Sequence, residues 1–208
     1  MNKKGNFPIF LGLLLILGAL ALCVYNFWDS ARAGQAAQEI LTALDIPEEL
    51  HDPAELRWQH PVPSEEPQEV PEMPVQEEAG YFYIGVLDVP CYNLKLPVMR
   101  EWTYNRLQIS PCVYTGSYYS NDLVICGHNY STHFSLLKGI DLGEHIFLTT
   151  VDGYVYHYLV DNVETVSPTE VERMITGDWD LTLFTCNTGG LTRCAIRCVL
   201  ANPDGSMQ

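Results

Sequence analysis

The chain has 208 residues and a formal net charge of −15 at pH 7. Most of this charge lies between Asp29 and Gly80, a segment that holds 13 acidic and 2 basic residues. No basic stripe or patch is available to neutralise a phosphate backbone, so no nucleic-acid partner is predicted. The seven cysteines are odd in number and scattered, which is not typical of a disulfide framework or of paired zinc ligands.

The chain begins with an apolar segment. Lys3 and Lys4 precede residues 5–28, which carry no charge and end in several aromatic side chains. About 20 apolar residues cross a hydrocarbon core of about 30 Å, and basic residues favour the cytoplasmic side. Residues 1–30 are therefore predicted to be a cytoplasmic N-terminus and one transmembrane helix, with the rest of the chain outside the cell. A cleaved signal peptide is the alternative, because residues 31–33 read Ala-Arg-Ala, although signal peptides have shorter apolar regions.

Residues 31–79 are predicted to be an acidic linker rich in proline and glutamate. Its alanine-rich beginning is suited to continue the helix as far as Leu44, and Pro47 is expected to end it. The remainder has too little apolar surface to fold and is predicted to be an extended, solvated spacer. The alternative is a lid over the folded domain, for which Trp58 is the obvious anchor.

Residues 80–208 are predicted to be one folded domain. Short β-rich runs alternate with turn residues, and Asp152-Gly153 is a strong hairpin signal. Eight short strands with few helices indicate an all-β fold, a closed barrel. The predicted strands are 81–89, 94–98, 112–115, 122–126, 144–150, 154–163, 181–186 and 191–200, and the predicted helices are 103–108, a helix capped by Ser131 or Thr132 that runs through Leu137, and 168–175.

Three residues that can carry chemistry follow or begin predicted strands. Cys186 ends the sequence TLFTC at 182–186, Arg193 comes seven residues later, and His128 follows an apolar strand. Together they supply a thiol nucleophile, a proton shuttle and a fixed positive charge for an oxyanion. In order and spacing, and with the apolar N-terminal segment, they resemble the sortases, the surface transpeptidases of Gram-positive bacteria. The resemblance covers roughly residues 80–200.

The resemblance implies an eight-stranded sortase-like β-barrel and a role for each residue. Cys186 would attack the Thr–Gly bond of an LPxTG-like sorting signal and form a thioacyl enzyme, while His128 moves protons and Arg193 stabilises the oxyanion. An amine of the cell-wall precursor or of a pilin would then resolve the intermediate. Thr185 and Asn129, the neighbours of these residues in the sequence, are predicted to bind substrate.

Other histidines compete with His128 for the catalytic role. His145 and His157 lie inside predicted strands and have no motif, whereas His133 is close enough to His128 in the sequence to be a rival. His128 is favoured because it follows a buried strand and matches the Gly-His-Asn pattern of the resembling family.

Arg197 competes with Arg193. Side chains alternate along a strand, so Arg193 and Arg197 share one face, and Cys194 and Cys198 share the other. The cysteines are predicted to lie in the core and both arginines to point outward, with Arg197 in solvent or in a weak surface ion pair.

The predicted partners are surface proteins with C-terminal LPxTG-like signals, an amine acceptor and the membrane. No cofactor and no metal site are predicted. Calcium is the alternative, because some sortases use acidic residues for it and Glu164, Glu170 and Glu172 lie in a comparable region. Two alternative functions stay open at this stage. One is a catalytically idle, wall-associated binding module, and the other is a thiol protease that hydrolyses its acyl-enzyme.

Overall fold

The computed structural model of the chain describes residues 6–44, 46, 70–187 and 189–202. Within these ranges one long helix precedes a β-barrel that carries short helical turns. The expected helix stop at Pro47 and the lid anchor Trp58 lie outside the described residues.

Helix α1, Asn6–Ala43, is 38 residues long, or about 57 Å at 1.5 Å per residue. By length and composition, the part from Phe7 onward is able to cross a membrane, and its apolar window is not buried against the rest of the protein. The helix is thus about twice as long as a hydrocarbon core is thick. The predicted continuation of the helix past the apolar segment is confirmed.

The last part of α1 packs on the barrel. Its buried residues recur at intervals of three and four, which places them on one helical face. Small side chains at the start of this face let α1 approach closely, and larger apolar side chains at its end reach the outer wall of the barrel. The face consists of Ser30, Ala33, Ala37 and Ile40, and Leu44 continues it directly after the helix ends.

Eight of the nine strands close into a barrel, as the sequence predicted. The order β2-β3-β4-β5-β8-β9-β7-β6 is closed by pairing of β6 with β2, and β1 adds to β2 outside this ring. The turn between β1 and β2 contains Gly80. The strands are β1 Gln76–Glu78, β2 Tyr81–Val89, β3 Leu94–Met99, β4 Cys112–Thr115, β5 Leu123–Cys126, β6 His145–Thr150, β7 Val155–Val166, β8 Leu181–Cys186 and β9 Arg193–Leu200.

The remaining helices are short. Thr103 caps α2, Tyr104–Leu107, by accepting a hydrogen bond from the Arg106 amide, and α3 is Val171–Ile175. The predicted helix beginning at Ser131 or Thr132 is wrong, because only a 3₁₀ turn forms there, at Leu136–Gly139. The two hydroxyls instead make hydrogen bonds to α1.

Side chains on β8 and β9 alternate between the barrel interior and its outer wall. The prediction that Cys194 and Cys198 belong to the core is confirmed, since both are buried in the main hydrophobic cluster with Leu183 and Ile196. The opposite face of β8 carries Cys186 on the outer wall. The barrel thus holds the candidate nucleophile outside its core.

Candidate active site

Parallel pairing of β5 with β8 brings His128 beside Cys186. Cys126 pairs with Phe184, and the Gly127 amide donates to the Phe184 carbonyl at 3.0 Å. His128 lies two residues after Cys126, and Cys186 lies two residues after Phe184, so both follow the same pair at the ends of the two strands. The strand ends, rather than the strand interiors, therefore build the site.

Antiparallel pairing of β8 with β9 brings Arg193 opposite Cys186. Directly opposite residues of antiparallel strands have Cβ atoms about 5 Å apart. The two side chains consequently leave the sheet on the same side, and both residues line one groove. Arg193 is thereby a candidate oxyanion donor beside Cys186.

The turn between the two strands is held by its own hydrogen bonds. The Asn187 amide donates to the Thr192 carbonyl at 2.9 Å, and its side-chain nitrogen Nδ2 donates to Thr192 Oγ1 at 2.8 Å. Arg193 Nη1 donates to the Gly190 carbonyl at 3.0 Å, so the turn also holds the guanidinium. Gly190 has a φ of 72°, a left-handed conformation that glycine adopts without strain.

Gly127 is required by the loop that presents His128. A Cβ at this position would lie 2.4 Å from the Phe134 ring, which folds back over the backbone. The Phe134 amide also donates to the His128 carbonyl at 3.3 Å. The glycine of the Gly-His-Asn sequence therefore allows the loop to close tightly behind the imidazole.

The imidazole of His128 is half-buried and stacks on Tyr130. The ring centroids are 3.9 Å apart and the planes differ by 17°. Burial lowers the pKa of His128, and the negative charge of Asp29 on α1 opposes that change. Among the described residues, His128 Nδ1 has no hydrogen-bond partner.

An aromatic groove runs over the outer wall and includes the candidate nucleophile. We define it by the residues that line a space of about 200 Å³, among them Cys186, Arg193 and Thr185. A chain of ring contacts with centroids 5.3–5.9 Å apart forms its aromatic part. These rings belong to Trp102, Tyr104, Tyr114 and Phe184. Thr185 is buried, and its Oγ1 has no partner among the described residues.

A second cavity, the helix-side cleft, lies between α1 and the barrel. It has a volume of about 540 Å³, and both Cys186 and His128 line it. Asn129 lines it too, and its Oδ1 accepts a hydrogen bond of 2.7 Å from Lys138 Nζ. Cys186 is common to the groove and the cleft, and thus is accessible from both.

The comparisons with known proteins agree with this geometry. The model of the sortase domain matches residues 87–201, more than half of the chain. The chain belongs to the sortase family. No curated protein sequence matches this sortase.

Solved structures of sortases have the same fold. Sortase C1 from Streptococcus agalactiae is 27% identical with a TM-score of 0.51, over 58% of this chain and 68% of that one. Sortase D5 from Clostridium perfringens, described as a transpeptidase, is 19% identical with a TM-score of 0.52, over 58% and 79%. Clostridium perfringens sortase C, solved with the C-terminal cell wall sorting motif, is 21% identical with a TM-score of 0.51, over 58% and 71%.

The rival histidines of this sortase do not line the groove or the cleft. His133 is fully buried, and burial lowers its pKa to about 4. His145 and His157 lie in β6 and β7, as predicted, and their rings stack on each other with a hydrogen bond of 2.6 Å between ring nitrogens. Of the four histidines considered from the sequence, His128 alone lines a cavity with Cys186.

Two thiols of the sortase line the aromatic groove, and their environments differ. Cys126 is buried, and this burial raises its pKa well above the ordinary thiol value. Cys186 is partly exposed. All seven cysteines lie among the described residues, and all are free thiols. Exposure therefore favours Cys186 over Cys126 as the nucleophile.

The prediction that Arg197 is exposed is wrong. Its side chain is 1% exposed and makes hydrogen bonds to Glu164, to Thr182 and to two backbone carbonyls of α3. The residue does point away from the barrel core, but α3 covers that part of the outer wall. Arg197 thus joins α3 to the barrel and does not line the groove.

Two of the three acidic residues considered for calcium, Glu164 and Glu170, are engaged by arginine side chains. Glu164 contacts Arg173 at 2.5 Å and Arg197 at 2.9 Å, and Glu170 is 3.8 Å from Arg173. A carboxylate already paired with arginines offers little net charge to a cation.

Sequence reasoning missed the aromatic wall of the groove and the contacts of α1. A signal was available for Phe184, because strand alternation places it on the same face as Cys186, two residues away. Trp102 precedes α2 and Tyr104 begins it, and both side chains are exposed because this helix is too short to bury them. No local pattern pointed to Asp29.

Proposed function

We propose that this sortase is a cysteine transpeptidase that cleaves an LPxTG-like sorting signal and transfers the protein to an amine. The observation that carries the proposal is the placement of Cys186 directly opposite Arg193, in one cleft with His128. Family membership supports the chemical class. Cell-wall attachment in a Gram-positive host is part of the same proposal.

In the first half-reaction, the Cys186 thiolate attacks the carbonyl carbon of the threonine in the sorting signal. The oxyanion of the tetrahedral intermediate faces the Arg193 guanidinium, a planar set of hydrogen-bond donors. The C–N bond then breaks, and His128 gives a proton to the departing amine. A thioester to Cys186 and a free amino group are the products of this step.

In the second half-reaction, an incoming amine attacks the thioester carbonyl. His128 takes the proton that the amine loses, Arg193 again faces the oxyanion, and the C–S bond breaks to regenerate the Cys186 thiolate. The acceptor is an amine of a peptidoglycan precursor or of a pilin. Water in place of the amine would make the enzyme a hydrolase.

We assign the sorting signal to the aromatic groove. Its apolar and aromatic lining suits the leucine and proline of such a signal, because apolar pockets with a few polar groups are typical of ligand sites. Thr185 and Asn129 are proposed to bind the substrate beside the reacting bond. The Clostridium perfringens sortase C solved with a sorting motif supports a peptide of this class.

We place the enzyme in the cell membrane as a single-pass protein, with residues 31–79 as linker and 80–208 as the extracellular catalytic domain. The apolar part of α1 supports the anchor, and Lys3 and Lys4 support a cytoplasmic N-terminus. Protease added to intact protoplasts should remove the barrel, whereas a protected barrel would contradict this orientation.

The test is cleavage of fluorogenic LPxTG-like peptides by the full-length chain in nanodiscs, with and without an added amine. With the amine present, we expect a transamidated peptide as the product. Without the amine, we expect slow hydrolysis of the peptide. Cys186→Ala should abolish both reactions, and mass spectrometry should find the acyl group on Cys186 in the wild type.

The result also separates the alternatives. Equal hydrolysis with and without amine would make the protein an endopeptidase. Binding without cleavage, across a library of sorting signals, would make it an idle binding module. Full activity of Cys186→Ala would remove the proposed mechanism altogether.

A further inference from the structure

The anchor helix reaches the catalytic loop at Asp29. This residue is the first charged residue after the apolar part of α1, and its Oδ2 accepts a hydrogen bond of 2.5 Å from the Tyr130 hydroxyl. Asp29 Oδ1 is in turn held by Arg32 Nη2 at 2.9 Å. The Tyr130 side chain thereby connects a carboxylate of the anchor helix to the imidazole of His128, on which its ring stacks.

Other contacts hold the same two elements together. The Ser30 and Ser131 hydroxyls are 2.8 Å apart, and Thr132 Oγ1 donates to the Ser30 carbonyl at 2.8 Å. A Cβ on Gly34 would lie 2.9 Å from the Thr132 side chain, so α1 has no room to move closer. The loop after His128 is therefore clamped against the helix over consecutive residues.

A catalytic imidazole needs a second contact to orient its ring, and a hydrogen bond to the other nitrogen usually provides it. Among the described residues, His128 Nδ1 has no such partner. The contact that orients the ring is the stack on Tyr130, at a centroid distance of 3.9 Å. Whatever fixes Tyr130 consequently fixes His128.

We propose that Asp29 is a positioning residue for catalysis, which holds Tyr130 against His128 and so makes the membrane anchor a part of the active site. The proposal rests on the proposed function, in which His128 moves the protons. Asp29 has two effects on that residue. It fixes the ring through Tyr130, and its negative charge favours the imidazolium that protonates the leaving amine.

The electrostatic part has a definite sign. Burial lowers the pKa of His128, and the Asp29 carboxylate raises it. Removing the carboxylate should lower the pKa further and reduce the imidazolium fraction at neutral pH. Other ionisable groups surround the imidazole and its loop and stay unchanged in that experiment. They are Arg32 on α1, Tyr130 and His133 on the loop, Lys138 on the following turn and Cys186 on β8.

The test compares Asp29→Asn with Thr132→Val in the full-length chain in nanodiscs. Thr132→Val removes a hydrogen bond between the same two elements but does not touch Tyr130 or His128, so it controls for helix docking. Asp29→Asn removes the negative charge and weakens the hydrogen bond from Tyr130, so it should lower kcat about tenfold and leave KM within about twofold. Thr132→Val should change kcat by less than about twofold.

Three further variants test whether Asp29 and Tyr130 act as one unit. Tyr130→Phe keeps the ring and loses the hydroxyl, and it should also lower kcat about tenfold. The double variant should be no slower than the slower single variant, since residues of one unit are not additive. Asp29→Glu keeps the charge and should recover most of the rate. Losses that multiply to about a hundredfold would overturn the proposal.

A readout independent of activity is the titration of His128 followed by NMR of labelled histidine. Asp29→Asn should shift its pKa downward, and the limb of the kcat/KM profile that reports His128 should move to lower pH with it. Thr132→Val should leave both unchanged. An unchanged His128 titration in Asp29→Asn, or equal kcat in the two variants, would refute the positioning role even if Cys186→Ala is inactive as the proposed function requires.

Discussion

Arg193 and Arg197 lie on the same face of β9 but in different surroundings. Arg193 borders the aromatic groove, opposite Cys186, and is held by the carbonyl of its own turn. Arg197 lies about 13 Å further along the strand and is buried under α3. Strand alternation determines the side on which an arginine lies, but the element that covers this side determines whether its charge serves catalysis or stability.

The largest difference between the two arginines is expected in the reaction rate. Arg193→Lys keeps the charge and loses the planar set of donors, so kcat/KM should fall about 10²–10³-fold, the usual cost of a lost oxyanion donor. Steady-state cleavage of a sorting-signal peptide measures it, and melting curves should remain close to wild type. A rate within fivefold of wild type would remove Arg193 from the mechanism.

Arg197→Lys should show the opposite pattern. Lysine cannot reproduce hydrogen bonds to Glu164, Thr182 and the carbonyls of α3 at once, so the free energy of unfolding should fall by about 2–3 kcal/mol. Urea unfolding measures the loss. The rate per folded molecule should stay within about fivefold of wild type, and a collapse of that rate with unchanged stability would reverse the roles of the two arginines.

A smaller effect on stability is expected from replacing Glu164, the acidic partner of Arg197. Burial raises the pKa of Glu164, but hydrogen bonds from Arg197 and Arg173 outweigh it and hold the pKa below its usual value of 4.5. A depressed pKa stabilises the fold above the unfolded pKa, and this contribution is lost as the pH falls through the folded pKa.

Glu164→Gln should therefore be less stable than wild type at pH 7, and the difference should shrink as the pH falls below about 4.5. Urea unfolding at several pH values measures it. A constant difference at all pH values would show that the carboxylate charge does not contribute, and that Arg197 is held by its neutral acceptors alone.

The sequence was sufficient for the barrel because each strand carries its own signal. The alternation of side chains along β9 predicted that Cys194 and Cys198 face the interior of the barrel. The pair Asp152-Gly153 predicted the hairpin between β6 and β7. Local capping signals were less reliable. Ser131 and Thr132 look like helix caps in isolation, but in the fold their hydroxyls bind α1.

By itself, the sequence determined the family, the eight strands of the barrel and the order of His128, Cys186 and Arg193, because these depend on short patterns and on motif spacing. Only the tertiary structure showed that α3 buries Arg197 and that Asp29 meets Tyr130, 101 residues away in the chain. The physical reason is that such contacts depend on how one element packs on another. Side-chain periodicity specifies the face that an element presents, but it carries no information on the partner that covers that face.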